Sequence, residues 1–198
     1  MVQSQRETER PQTRLLRLGG WLLLAVVAAL VILADQLSKA YVAAQLAPGE
    51  SWMPWDALKP VFRFTHVRNT GAAFGIFPEG GTVFLIIALV VSGIIVYYHR
   101  QLPRHAWLLR LGLGLQLGGA LGNVIDRVRL GYVVDFLHVE YWPVFNVADS
   151  CIVLGVAFLA LEILREERRL AQTGQQAGVP SARGDAPGDS PEKNAFSR

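Results

Sequence analysis

Residues 80–98 read GGTVFLIIALVVSGIIVYY, 19 consecutive positions without a charged side chain. An α-helix rises about 1.5 Å per residue, so this run would extend about 28 Å, close to the roughly 30 Å hydrocarbon core of a bilayer. A second run, LGGWLLLAVVAALVILA, fills 18–34, between Arg17 and Asp35. Two shorter ones follow at 111–125 and 150–161. The third reaches spanning length if Trp107 to Leu109 join it, with Arg110 snorkelling to the interface. The fourth does so if it starts at Val147 and continues to Leu164, which puts Asp149 in its first turn. The chain has 198 residues, of which 52% are hydrophobic. Its mean hydropathy is +0.30, and the apolar residues are concentrated in these runs. The pattern predicts an all-α membrane protein of four transmembrane helices rather than a soluble bundle.

Arg6, Arg10, Arg14 and Arg17 precede the first run, a pattern shared by retained anchors and cleaved signal peptides. The segment VAA at 42–44 would be the cleavage site in the second case. The length of the run and the intervening DQLSK favour a retained anchor. Arginines also fall at 100 and 104, and at 165, 168 and 169. The positive-inside rule then predicts cytoplasmic N- and C-termini in a multi-pass protein. Lys39, Lys59, Arg63, Arg68, Arg127 and Arg129 on the opposite side weaken that bias without reversing it. The net charge of +3 follows this membrane pattern, and no basic stripe suggests nucleic acid. The one cysteine, Cys151, has no partner for an internal disulfide, and its expected role is packing.

The domain plan has three parts: a polar N-terminal extension over 1–14, a peptide-chain core of four spans over 15–167, and a tail over 168–198 expected to be disordered. Within the core, VFRFTHV at 61–67 alternates Phe62 and Phe64 with Arg63 and Thr65, as a half-buried strand does. Trp52 and Trp55 lie upstream, and Asn69, Gly71 and Gly75 suggest a turn downstream. The loop over 42–78 is therefore expected to form a small sheet on the membrane surface. In the third run Gly114, Gly118 and Gly122 repeat at four-residue spacing, which permits close helix approach and predicts a central helix.

With the termini inside, Asp35, Asp126, Asp135 and Asp149 all fall near the outer interface, joined by Asn123 and Asn146. The pattern repeats as NVID at 123–126 and NVAD at 146–149, and residues three apart share a helical face. Simple structural roles compete for several of them. Asn146 could cap the fourth helix with Asp149 in its first turn. Asp126 could pair with Arg127 or Arg129, and Asp35 with Lys39 four residues on. Asp135, between Val133, Val134, Phe136 and Leu137, has the weakest structural explanation. Two adjacent carboxylates in a partly dry site tend to share one proton. The charged member can then take a proton from water, and the protonated one can donate to the substrate. This is aspartic-protease chemistry, and it needs no metal or cofactor. His138 and Glu140 offer a weaker metal alternative without a recognised zinc spacing, and Ser150 has no nucleophile signature. A proton- or cation-coupled transporter and a membrane scaffold are the readings from other classes.

The stretches DQLSK at 35–39, RNTGAAFG at 68–75, GGALGNVIDRVRLGYVVDF at 118–136 and FNVADS at 145–150 occur in an order that resembles lipoprotein signal peptidase, the signal peptidase II family. The resemblance covers about residues 15–167. It implies a bacterial inner-membrane aspartic endopeptidase with four spans and an extracytoplasmic β-cradle. Its expected substrate is a prolipoprotein carrying a diacylglyceryl-modified cysteine, cut just before that cysteine. It also implies Asp135 and Asp149 as the catalytic pair, with Asp35, Asn69, Asn123, Asp126, Arg127 and Asn146 supporting the site or touching substrate. The expected active site faces the extracytoplasmic side, and the protein is expected to act as a monomer in the lipid bilayer. Gly75 stands where many relatives have serine, and the segment between VVDF and FNVADS is shorter than in many members.

Overall fold

The computed structural model describes residues 11–71, 80–103 and 106–177. The expectations for residues 1–10, for the segment 72–79 with Gly75, for Arg104 and for the tail beyond 177 lie outside the described residues. The chain divides into two compact units, Met1–Ile163 and Leu164–Arg198. Four helices are long and apolar enough to cross a membrane: α1 (Pro11–Gln45), α2 (Gly81–His99), α3 (Trp107–Leu130) and α4 (Val147–Ala177). Three short strands complete the first unit: β1 (Ser51–Trp52), β2 (Phe62–Asn69) and β3 (Val133–Val139).

α3 is the central helix. Of its apolar window 61% is buried, against 28% for α1 and 11% each for α2 and α4. Its glycines explain how. A Cβ on Gly118 would lie 2.8 Å from the Ala28 carbonyl oxygen of α1, and one on Gly112 would lie 2.9 Å from the Gly155 oxygen of α4. Backbones this close leave room only for hydrogen on the facing position. The other helices turn large apolar side chains outward, among them Leu30 and Leu37 of α1, Ile86 and Val90 of α2, and Val153 and Val156 of α4. Such exposure suits lipid contact rather than water.

The sheet is antiparallel, in the order β1-β2-β3. Its register slips by one residue between Phe64 and Val67, so Phe64 faces Leu137 while Val67 faces Asp135. The extra residue is a bulge, which bends the strand and changes which side chains share a face. Beyond it, Asp135 and Asn69 lie on the same face. Phe64 and Phe136 stack at 6.5 Å, and Phe136 packs with Val42 and Leu46 of α1. Val42 therefore belongs to the folded body.

Four local expectations are corrected. α1 runs to Gln45, ten residues past Asp35, so the first helix does not end at that aspartate. Arg110 does not reach outward: it is buried and donates to the carbonyls of Pro103 (3.0 Å) and Leu102 (3.2 Å), closing the α2–α3 turn. Asp126 takes Lys39 rather than Arg127 or Arg129 as its partner. Finally, the tail expected from 168 is helical as far as Ala177. Arg, Leu, Ala and Gln are good helix formers, so a polar segment here extends the helix.

Candidate active site

Asn146, Asp35 and Asp135 are the largest fully buried side chains among the described residues. Polar groups this deep must find partners or destabilise the fold by several kcal/mol. They find one another, through α1, α3, β3 and the start of α4.

Asn146 precedes α4, and its Oδ1 accepts the Asp149 N–H at 2.9 Å. The Asp149 carboxylate returns the arrangement by accepting the Asn146 N–H at 3.2 Å. This reciprocal capping box satisfies donors that a helix N-terminus otherwise leaves open. The structural role foreseen for Asn146 is thus real, and it coexists with a second one. The same side chain donates through Nδ2 to Asp135 Oδ1 at 2.7 Å and to Asn123 Oδ1 at 3.1 Å. One residue joins both carboxylates.

Asp135 has its other oxygen held by Asn69 Nδ2 at 2.8 Å, and Asp149 receives Asn123 Nδ2 at 2.8 Å. Asp135 is 2% exposed, whereas Asp149 is half-buried. Burial, and next the neighbouring Asp149 charge, push the Asp135 carboxyl up to about 7. The two amide donors and Lys39 act in the opposite direction without overcoming burial. A carboxyl poised there exchanges protons near neutral pH, as an acid–base catalyst requires.

Behind the pair lies a second layer. Lys39 meets Asp35 at 2.8 Å, Asp126 at 2.9 Å and Asn123 Oδ1 at 2.9 Å. Gln36 donates to Asp126 at 2.8 Å and to Asp35 at 3.2 Å. Asp35 also accepts the Ala148 N–H at 3.0 Å, tying α1 to the first turn of α4. Asp126 accepts the Val134 N–H at 3.2 Å, tying α3 to β3 beside Asp135. Gly122 permits the approach, since a Cβ there would sit 2.7 Å from Asp35 Oδ2. Arg127 donates to the Asn123 carbonyl at 3.4 Å, lies over the Phe84 ring at 5.8 Å and feels the charges of Asp149, Asp135 and Asp126. Every expected site residue therefore falls in one neighbourhood. Gln36 was absent from the expectations, although its place inside DQLSK, next to Asp35, is a signal.

The other candidates are committed elsewhere. Arg63 donates to His138 Nε2 at 3.0 Å and to Glu140 at 2.8 Å, and His138 Nδ1 meets Thr65 Oγ1 at 3.0 Å. Burial, and next the Arg63 charge, lower the His138 pKa. That suits the neutral ring accepting at Nε2. The Ser150 hydroxyl donates to the Asn146 carbonyl at 2.9 Å.

A family model described as signal peptidase (SPase) II matches residues 27–165, which contain every group named above. The chain belongs to the signal peptidase II family. The lipoprotein signal peptidase of Halothermothrix orenii is 45% identical over 144 residues, covering 72% of this chain and 96% of that one. That of Moorella thermoacetica is 48% identical over 139 residues, covering 70% and 91%. A solved structure of a bacterial membrane enzyme superposes with a TM-score of 0.67 at 31% identity, covering 73% of this chain and 88% of that one. A second has a TM-score of 0.64 at 32% identity. Signal peptidase II is an aspartic peptidase family, so this chain is a membrane peptidase. The transporter reading has no support in these comparisons.

Proposed function

We propose that the chain removes signal peptides from diacylglyceryl-modified prolipoproteins, cutting before the lipidated cysteine, with Asp135 and Asp149 as its catalytic pair. The observation that carries the assignment is Asn146, which bonds Asp135 and forms the capping box with Asp149.

Asp135 holds the shared proton and Asp149 begins as base. Asp149 takes a proton from water while the water oxygen bonds to the scissile carbonyl carbon. The carbonyl π electrons move to oxygen, which receives the Asp135 proton. The C–N bond then breaks, and the leaving nitrogen takes the proton held on Asp149, while Asp135 recovers its proton from the collapsing hydroxyl. The donors from Asn69, Asn123 and Asn146 hold both carboxylates without adding charge. Asp35, Asp126 and Arg127 support the arrangement.

The termini lie in the cytoplasm and the active site lies at the extracytoplasmic side of the bacterial inner membrane. The arginines at 100, 165, 168 and 169 support this orientation. The sheet rests on the membrane surface, with exposed Trp52, Trp55 and Trp142 suited to the interface. One chain supplies both carboxylates, which supports a monomer. The core 15–167 carries the activity, flanked by the extension 1–14 and the tail 168–198.

The test uses the purified full chain in proteoliposomes with modified and unmodified precursor side by side. Wild type should cleave only the modified one. Asp135→Asn and Asp149→Asn should each lower kcat by roughly 10³-fold or more while still inserting and binding. A well-folded variant that cleaves at near wild-type rate refutes the pair.

A further inference from the structure

Lys39 takes no part in the reaction sequence above, yet it is the centre of the buried polar layer. It is 3% exposed, and its ammonium meets oxygens of Asp35, Asp126 and Asn123. An ammonium has three donors and no acceptor, so these three oxygens use it fully. Two of the bonds neutralise carboxylates. The third goes to a neutral amide and requires its own explanation.

We propose that Lys39 is a positioning residue for both catalytic carboxylates: it dictates which way the Asn123 carboxamide faces, and so aims the donors that hold Asp149 and Asp135. The inference rests on the assignment of that pair.

A carboxamide turned through 180° keeps its shape but exchanges donor for acceptor. Packing alone cannot choose between the two orientations. As found, Asn123 Oδ1 accepts from Lys39 (2.9 Å) and from Asn146 Nδ2 (3.1 Å), and its Nδ2 donates to Asp149 (2.8 Å). Reversal would set an NH₂ against two donors and a carbonyl against a carboxylate. Lys39 cannot accept a hydrogen bond under any rotation, so it removes the ambiguity. Asn146, whose Oδ1 is held by the Asp149 N–H, shares its Nδ2 between Asn123 Oδ1 (3.1 Å) and Asp135 (2.7 Å), so a displaced Asn123 would also disturb the donor on Asp135. The charged groups that act on Asp135 are Asp149 on α4 and Lys39 on α1, with Arg127 on α3 in range; β2 presents the neutral Asn69. Asp35 and Asp126 lie one ion pair behind Lys39.

A double-mutant cycle separates this role from simple ion pairing. Full-length Lys39→Met, Asn123→Ala and the double variant are assayed in proteoliposomes on the modified precursor. Each single variant should lose about 10²-fold in kcat with KM within about threefold, as expected for misplaced catalytic groups. The double variant should be no more than about threefold slower than the poorer single one. If Lys39→Met does not fold, Lys39→Met/Asp126→Asn replaces it, since that pair removes one charge of each sign. An infrared titration of the Asp135 carboxyl band, assigned by its loss in Asp135→Asn, gives a readout independent of turnover. Its midpoint should rise in Lys39→Met. Multiplicative losses in the double variant, or an unmoved midpoint, overturn the inference. Wild type that fails to cleave the precursor would refute the functional reading instead, and the role of Lys39 would then be read from the Asp135 midpoint in Asn123→Ala and the double variant. Lys39→Met should shift it less in the Asn123→Ala background than alone, and equal shifts overturn the inference.

Discussion

Asp135→Asn should abolish turnover and, at alkaline pH, make the protein harder to unfold. In the folded protein the Asp135 carboxyl is pushed up to about 7, first by burial and then by the Asp149 charge, from an ordinary value of 3.8. Between those values the folded chain keeps a proton that the unfolded chain has released. Stability therefore falls as pH rises from about 4 to about 7 and levels off above. At about 1.4 kcal/mol per unit, the full effect is about 4 kcal/mol against the ionised form. Asparagine cannot ionise, so it escapes this term. It does present an NH₂ to one of two amide donors, Asn69 or Asn146, and loses a buried hydrogen bond worth about 1–3 kcal/mol. The balance is a gain of about 1–3 kcal/mol near pH 8.5 and a loss of similar size near pH 4. Thermal unfolding of both proteins in the same detergent, followed by tryptophan fluorescence, reads this as a sign change. The variant's Tm should lie several degrees above wild type at pH 8.5 and below it at pH 4. An equal drop at both pH values would show that Asp135 is not a strained acid in the native state.

Other perturbations probe separate parts of the structure. In Asp149→Asn the second cause of the raised Asp135 value is gone while burial remains, so NMR titration of the Asp135 carboxyl should give a midpoint below about 7 yet above 3.8. Gly118→Ala should lower stability by about 1–3 kcal/mol, because its methyl meets the Ala28 backbone, whereas Gly93→Ala, with nothing within 4 Å, should be neutral or stabilising. Equal Tm values for these two variants would refute the tight α1–α3 contact. In a Cys151→Ser background, cysteines at Pro54 and Gly131 should react with an impermeant label from outside, and one at Pro103 only after permeabilisation. Chelators should leave the purified enzyme active; loss restored by zinc would revive a metal role for His138 and Glu140.

The four spans were legible because a bilayer demands long uncharged runs, and 80–98 meets that demand unaided. The centrality of α3 was legible in Gly114, Gly118 and Gly122, since small residues at that spacing have few other uses in a membrane. Local polar geometry could also be read: Asp35–Lys39 at four residues and Asn146–Asp149 at three both form as helical spacing suggests. What could not be read is long-range. No local rule tells Asp126 to choose Lys39, 87 positions away, over the adjacent Arg127. The bulge beyond Phe64 puts Asn69 and Asp135 on one face, and a strict two-residue alternation conceals it. Arg110 misled because a charge near a span end usually seeks water, whereas here two loop carbonyls offered a drier partner. The choice of Asp135 and Asp149 from four clustered aspartates came from family resemblance, not from spacing.

The capping box has a consequence for the order of events during synthesis. Asp149 belongs to the last helix, and the bonds that seat it come from Asn146 at its start and Asn123 one helix earlier. A nascent chain halted after its third span carries Asp35, Asp126 and Asp135, but only one member of the proposed pair. Nucleation of the fourth helix and completion of the hydrolytic centre are then a single step. Unfinished copies in the membrane would lack peptidase activity, and the same few hydrogen bonds that start a helix would also switch the enzyme on.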